Sequence, residues 1–153
     1  MKHWILTIMA LIVCIAASAQ KADKTYTEAK ALYDAKNYTA AFPLLKKAAE
    51  KGHKKAQYRL GRCYDKGHGV AEDNAAAFQW YKKSAAQDYA KAQYALGKCY
   101  LKGKAVAADQ KQAKTWLKKA VKNVKGGDEV LAKIKKEADE GDETAKAILS
   151  LIK

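Results

Sequence analysis

The chain predicts an all-α fold, an α-α superhelix (solenoid) of stacked antiparallel helical hairpins. Three observations carry that reading. First, Lys55-Ala-Gln-Tyr-Arg-Leu-Gly-Arg-Cys-Tyr-Asp-Lys-Gly returns as Lys91-Ala-Gln-Tyr-Ala-Leu-Gly-Lys-Cys-Tyr-Leu-Lys-Gly. Second, every matched pair is 36 residues apart, from Tyr58/Tyr94, Gly61/Gly97 and Cys63/Cys99 to Gly67/Gly103, Val70/Val106, Asp73/Asp109, Ala77/Ala113 and Trp80/Trp116. Third, apolar residues inside each copy recur at helical spacing. A fixed period of this size marks small units that bury their apolar faces only against their neighbours.

Residues 1–19 stand apart from the repeats and read as a cleaved signal peptide. Lys2 and His3 are a short positive start, Trp4 to Ala17 is an apolar run broken by Thr7, and Ala17-Ser18-Ala19 offers small residues to a signal peptidase. The apolar run is short for a bilayer span, which needs about 20 residues, and no charged stop-transfer segment follows. Lipid attachment at Cys14 is a minor rival, disfavoured by the bulky Val13 before it. Residues 20–153 then form a single helical-repeat domain, periplasmic or secreted, with no transmembrane segment left after cleavage.

Within 24–53 the pattern is a divergent first hairpin. Ala29, Leu32 and Tyr33 give one inner stripe, Asp34-Ala-Lys-Asn37 a tight turn, and Ala41, Leu44, Leu45, Ala48 and Ala49 the second stripe, stopped by Gly52. Pro43 is expected in the first turn of the second helix, or as a mild kink. Residues 54–89 form the first full repeat. Its helix A, about Lys54 to Lys66, turns Ala56, Leu60, Cys63 and Tyr64 to one side, and Gly61 marks a close approach by another helix backbone. Gly67-His68-Gly69-Val70 connects, Asp73 caps helix B, and Ala77, Trp80, Tyr81 and Ala85 form its inner face. Residues 90–124 follow the same plan, with Asp109 and Gln112 as a capping box. Lys104-Ala105 replaces His68-Gly69, so this connection is expected to turn differently, and Leu117 replaces Tyr81. Residues 125–153 break the period and read as a C-terminal capping hairpin. There Lys125-Gly126-Gly127 is a hinge, and an inserted helix carries Val130, Leu131 and Ile134. After Gly141 comes a remnant of helix A, with Ala145, Ala147 and Leu149 in place of Ala92, Tyr94 and Leu96.

The string Ala56, Tyr58, Leu60, Gly61, Tyr64, Gly67, Gly69, Val70, Asp73, Ala77, Trp80, Tyr81, Ala85 resembles the Sel-1-like repeat, a relative of the tetratricopeptide repeat. The second copy departs from it at Ala105 and Leu117. What the resemblance implies is a solenoid that acts as an adaptor assembling other proteins, often in signalling or the bacterial envelope. Some exported members carry a disulfide between the two helices of each repeat. Here neither repeat holds a second cysteine, so that trait is not carried over. Cys63 and Cys99 recur one repeat apart on parallel helices, farther apart than a disulfide spans, and read as small buried packing residues.

No catalytic constellation is present, and no enzyme is expected. His53 and His68 are read as surface residues without the companions a metal site needs, and Ser84 has no base at nucleophile spacing. Neither a metal nor a cofactor is expected. The aromatic residues recur in phase with the repeat and read as core. The net charge is +14, and because an exported chain rarely meets nucleic acid, nucleic acid is not the expected partner. The charge points to a protein or peptide of acidic character, or alternatively to an anionic envelope polymer or lipid headgroups; it also raises solubility by self-repulsion. Lys55, Arg59, Arg62 and Lys66 fall at i, i+4, i+7 and i+11 on helix A, and Lys91, Lys98 and Lys102 repeat three of the four. Helix A lines the inner surface of such stacks, so these seven residues form a candidate partner-binding ladder on the concave face, with Gln57 and Gln93 recurring beside them.

Overall fold

The computed structural model describes the backbone of residues 2–153 and the side chains of residues 8–153. Among these residues the chain forms eight helices and no strand. They are α1 (Lys2–Asp34), α2 (Tyr38–Glu50), α3 (Lys54–Lys66), α4 (Asn74–Ala86), α5 (Ala90–Lys102), α6 (Gln110–Val121), α7 (Gly127–Asp139) and α8 (Glu143–Ile152). Consecutive helices pair as hairpins, and each hairpin packs on the next, which is the superhelix the 36-residue period predicts.

α1 continues through the expected signal segment. Every described side chain from Ile8 to Lys21 is exposed, and Ala22 is the first buried one. The stacked fold therefore begins at Ala22, just past the expected cleavage point. The positive start at Lys2 and His3, and the apolar run from Trp4 to Thr7, lie outside the residues whose side chains are described. Among the described residues, no helix is long and apolar enough to cross a membrane.

Each hairpin is fixed by local chemistry. Asp73 Oδ1 accepts the Ala76 N–H at 2.9 Å and Asp109 Oδ1 accepts the Gln112 N–H at 2.9 Å. Losing such a cap costs about 1 kcal/mol. The connections repeat bond for bond: His68 N donates to Cys63 O and Asp73 N to Tyr64 O, as Lys104 N does to Cys99 O and Asp109 N to Tyr100 O. Ala105 holds φ 69°, beside 74° at Gly69, so the second connection keeps the same turn despite losing its glycine. Pro43 lies in the second turn of α2, where its missing N–H leaves the exposed Thr39 carbonyl to water.

Three apolar clusters succeed one another along the stack. Ala29, Tyr33, Leu45 and Leu60 join the first hairpin to α3. Phe78, Tyr81, Leu96 and Cys99 join α4 to α5. Leu117, Val130, Ile134 and Ile148 join the second repeat to the last hairpin. Gly61 and Gly97 are required by packing. A Cβ at Gly61 would sit 2.7 Å from the Tyr81 ring and 3.2 Å from the Ala77 carbonyl, and one at Gly97 would meet Leu117 Cγ at 2.7 Å. The close neighbour is chiefly a side chain of the paired helix, with its backbone behind.

Between hairpins runs a ladder of buried amides. Gln57 Nε2 donates to Ala49 O at 3.2 Å, and Gln87 Nε2 donates to Gly52 O at 2.8 Å and to Gln57 Oε1 at 2.7 Å. One period later Gln93 Nε2 donates to Asp88 Oδ1 at 2.8 Å, and Asn123 Nδ2 to Gln93 Oε1 at 3.2 Å. Gln57 and Gln93 thus recur because they join repeats, and they belong to the stack instead of the ligand face. The Lys125-Gly126-Gly127 segment is likewise a packed turn and not a hinge: Gly127 is buried, its N–H donates to Asn123 O at 2.7 Å, and a Cβ there would lie 2.3 Å from Val121 O. α8 turns in as α3 and α5 do, with positive φ at Gly141 (95°) as at Gly52 (85°) and Asp88 (58°). Its buried face is Ala145 and Ile148, while Ala147 is exposed, so the remnant is rotated relative to α5.

Candidate functional site

Helices α3, α5 and α7 line a groove made of two hollows of about 220 and 200 Å³. Tyr58, Arg62, Tyr94 and Lys133 border both, so the hollows are halves of one groove. Each half is smaller than the roughly 300–1,000 Å³ typical of a cofactor pocket and suits a side chain of a bound peptide. Tyr58, Tyr81 and Tyr94 wall it. Tyr81 and Tyr94 are 4% and 6% exposed, so the in-phase tyrosines are core residues whose edges also face the groove.

Of the seven residues in the expected ladder, six line this groove and one does not. Arg62, Lys66, Lys98 and Lys102 border the first hollow, and Arg59, Arg62 and Lys91 the second. Lys55 instead borders a separate hollow with Ala19, Asp23, Lys51, His53 and Gln87, because α3 turns its first residues toward α1. The six differ in how far their charge is already met. Arg59 pairs with Asp34 at 3.0 Å and donates to Tyr26 Oη at 3.2 Å. Lys91 pairs with Glu129 at 2.6 Å. Lys66 lies 3.7 Å from Asp65, which Lys104 approaches at 2.6 Å. Arg62, Lys98 and Lys102 have no ion pair among the described residues.

These three define the electrostatic centre of the groove. Lys98 and Lys133 both lie over the Tyr94 ring, at 5.4 and 5.5 Å from its centroid. Burial, reinforced by the like charges of Lys102 and Lys133 and partly offset by Glu137 and Asp142, holds the Lys98 ammonium below the usual lysine range. An incoming carboxylate would relieve that repulsion. The arrangement can hold an anionic group against an aromatic wall. Its thiols are not activated: burial pushes that of Cys99, which borders the groove, up to about 11, and does the same for Cys63.

Tyr58, Tyr94, Lys133 and Glu129 line the candidate groove, and sequence reasoning did not place them there. The tyrosines carried a signal, their recurrence in phase, which fits core and groove equally. Lys133 and Glu129 carried none, because α7 falls outside the period and only stacking brings it beside α5. Both histidines also move from the surface to the joints. His53 Nδ1 accepts the Ala56 N–H at 3.1 Å, its ring stacks on Tyr26 at 4.2 Å, and Nε2 lies 3.0 Å from Asp23. His68 stacks on Tyr38 at 4.0 Å, with Nδ1 3.0 Å from Tyr33 Oη. Each clips one hairpin to the next.

Comparison with known proteins agrees with this geometry. The solved Sel1 repeat protein of Oxalobacter formigenes is similar over 78% of this chain, with 32% identity and a TM-score of 0.61, and the match spans 57% of that protein. The protective antigen c5321 of uropathogenic Escherichia coli, described as displaying an SLR fold, is similar over 71% of this chain, with 30% identity and a TM-score of 0.65, across 24% of its own length. A rat protein, DAP3-binding cell death enhancer 1 of Rattus norvegicus, is 49% identical over 37 residues, 24% of this chain and 7% of that protein. The Sel1 repeat family matches residues 30–53, 54–89 and 90–123, breaking where the structure places its hairpin joints. With three matched repeats over more than half its length, the chain belongs to the Sel1 repeat family.

Proposed function

We propose that this protein is an exported, non-enzymatic interaction module whose α3–α5–α7 groove takes an acidic segment of a partner protein. The observation that carries the reading is the set of three unpaired cations, Arg62, Lys98 and Lys102, in a tyrosine-walled groove with room for side chains. Stacked helical repeats present extended surfaces for partners, and a short-range relative is named for binding another protein. Export is supported by the apolar run ending in Ala17-Ser18-Ala19 and by a fold that begins at Ala22. A bacterial periplasmic or secreted location accords with the bacterial origin of the similar structures.

The test is capture from a native envelope extract, with mass-spectrometric identification of what is held. Arg62→Glu/Lys98→Glu should lose the partner that the unaltered protein holds; equal capture by both refutes the reading. Moderate salt should weaken but not abolish capture, whereas an anionic polymer held by charge alone releases steeply. N-terminal sequencing of protein recovered from the envelope should begin at Gln20, and a start at Met1 refutes the export step.

A further inference from the structure

The outer helices α2, α4 and α6 carry a second charged surface, separate from the groove. At their solvent-facing positions residues have drifted: Thr39, Ala75 and Lys111 occupy one register, Pro43, Gln79 and Thr115 another, and Glu50, Ala86 and Lys122 a third. Two registers are identical in all three helices. Lys46, Lys82 and Lys118 stand 36 residues apart, and so do Lys47, Lys83 and Lys119. None of the six borders the groove, and among the described residues none forms an ion pair. Glu50 is the one acidic residue within these three helices.

Helix-end electrostatics explains part of this only. A lysine in the last turn complements the negative end of the helix dipole, which accounts for Lys47, Lys83, Lys118 and Lys119. Lys46 and Lys82 lie outside the last turn and carry no such role. Beside the lysines runs an apolar companion row, Leu44, Trp80 and Trp116, again one per helix and each half-buried. Lys83 Nζ lies 4.2 Å above the Trp80 ring and Lys119 Nζ 5.4 Å above that of Trp116.

We infer that this face docks on an anionic lipid surface. α2 packs on α3, α4 on α3 and α5, and α6 on α5, so the same two lysine registers return at each step of the stack. Six lysines without an ion pair among the described residues make a row of charge suited to a sheet of anions and not to a single ion. The apolar row distinguishes lipid from polymer: a polyanion needs only the lysines, whereas Trp80 and Trp116, packed on the core along one edge and lying beneath long ammonium stems along the other, match the headgroup layer of a membrane. The groove stays open, so the protein could hold an acidic partner while resting on a bilayer. The inference does not depend on the groove having a ligand.

The test is sedimentation of the full chain with vesicles of phosphatidylcholine alone or with a third phosphatidylglycerol. Any contribution of the exposed apolar start of α1 is common to all variants. Each lysine near an anionic surface contributes roughly fivefold in partitioning, so Lys46→Gln/Lys82→Gln/Lys118→Gln should weaken binding to anionic vesicles about a hundredfold. None of these three sits on an indole, and their circular dichroism and unfolding midpoint should match the unaltered chain. The charge-matched Lys24→Gln/Lys125→Gln/Lys135→Gln should lose less than about tenfold, having changed only the net charge. Equal loss in both triples overturns the inference, as does equal binding to neutral and anionic vesicles. Binding to soluble polyanion without binding to anionic vesicles also overturns it. In a Trp4→Phe chain, Trp80 and Trp116 fluorescence should shift to the blue on anionic vesicles; an unmoved spectrum contradicts the orientation.

Discussion

Replacing Gly69 with alanine should destabilise the protein by about 2–4 kcal/mol, and the estimate follows from the connection between α3 and α4. Gly69 holds φ 74°, and a Cβ there would lie 2.4 Å from the Tyr38 carbonyl oxygen and 2.7 Å from its carbon. The left-handed backbone costs a non-glycine residue about 1–2 kcal/mol. The overlap falls on backbone, which cannot swing aside as a side chain does, and overpacking of this sort costs about 1–3 kcal/mol. Against these stands a gain of about 0.4–1 kcal/mol from a stiffer unfolded chain. At roughly 2–4 °C per kcal/mol for a chain of this size, the midpoint should fall by about 5–15 °C. Ala105→Gly is the internal control. It relieves the same left-handed strain at φ 69° and should be neutral or stabilising by up to about 1 kcal/mol. Urea unfolding followed by far-ultraviolet circular dichroism measures both with an unchanged slope. If Gly69→Ala unfolds within about 0.5 kcal/mol of the unaltered chain, the connection is not pinned against Tyr38 and the reasoning fails.

Other consequences follow from the joints. Burial lowers the His53 pKa, with Asp23 opposing. The folded state therefore favours the neutral ring: this stability is complete above the unfolded pKa of about 6.5 and declines as pH falls below it. His53→Asn, which keeps a cap, should flatten the fall in unfolding midpoint between about pH 8 and pH 5; an unchanged slope contradicts the role. Gln93→Ala should cost about 1–2 kcal/mol, since it removes a buried amide bonded to both Asp88 and Asn123 while Asn123 Nδ2 keeps its own bonds to Asp88; a loss under about 0.5 would show the amide ladder to be incidental. Cys63 and Cys99, with thiols near 11, should resist a thiol reagent at mildly alkaline pH until the chain is unfolded. Labelling of a native Cys14→Ser chain at the rate of free cysteine would contradict their burial, Cys14 being exposed.

The repeat was legible because stacking imposes the same steric demand twice. Gly61 and Gly97 lie under a partner side chain, Asp73 and Asp109 cap the same position, and each requirement leaves one residue type at a fixed spacing. Half of the site was legible for the same reason: Arg62 and Lys98 occupy equivalent places. The remainder was not, because periodicity does not say which side of a helix meets what. Gln57 and Gln93 share the recurrence of the basic stripe, yet they face a neighbouring carbonyl and an amide. Lys55 follows the stripe's spacing but lies where α3 meets α1. His53 and His68 look solitary in the chain, and only the stacking gives them Tyr26 and Tyr38. Lys133 joins the groove from a helix that breaks the period, a long-range contact that no local pattern encodes.

The most direct test of the groove is fluorescence anisotropy of a short labelled peptide of alternating glutamate and alanine. Charge-assisted contacts to the half-buried Arg62 and Lys98 are worth about tenfold each after allowance for solvent, and one to the exposed Lys102 less, so Arg62→Gln/Lys98→Gln/Lys102→Gln should weaken binding about a hundredfold. Lys24→Gln/Lys125→Gln/Lys135→Gln should change it by less than about threefold at physiological salt, since those exposed lysines do not line the groove and their charges are screened. Loss confined to the first triple is the predicted result. An equal fall in both triples would mean that only net charge matters and that the groove is not the binding site.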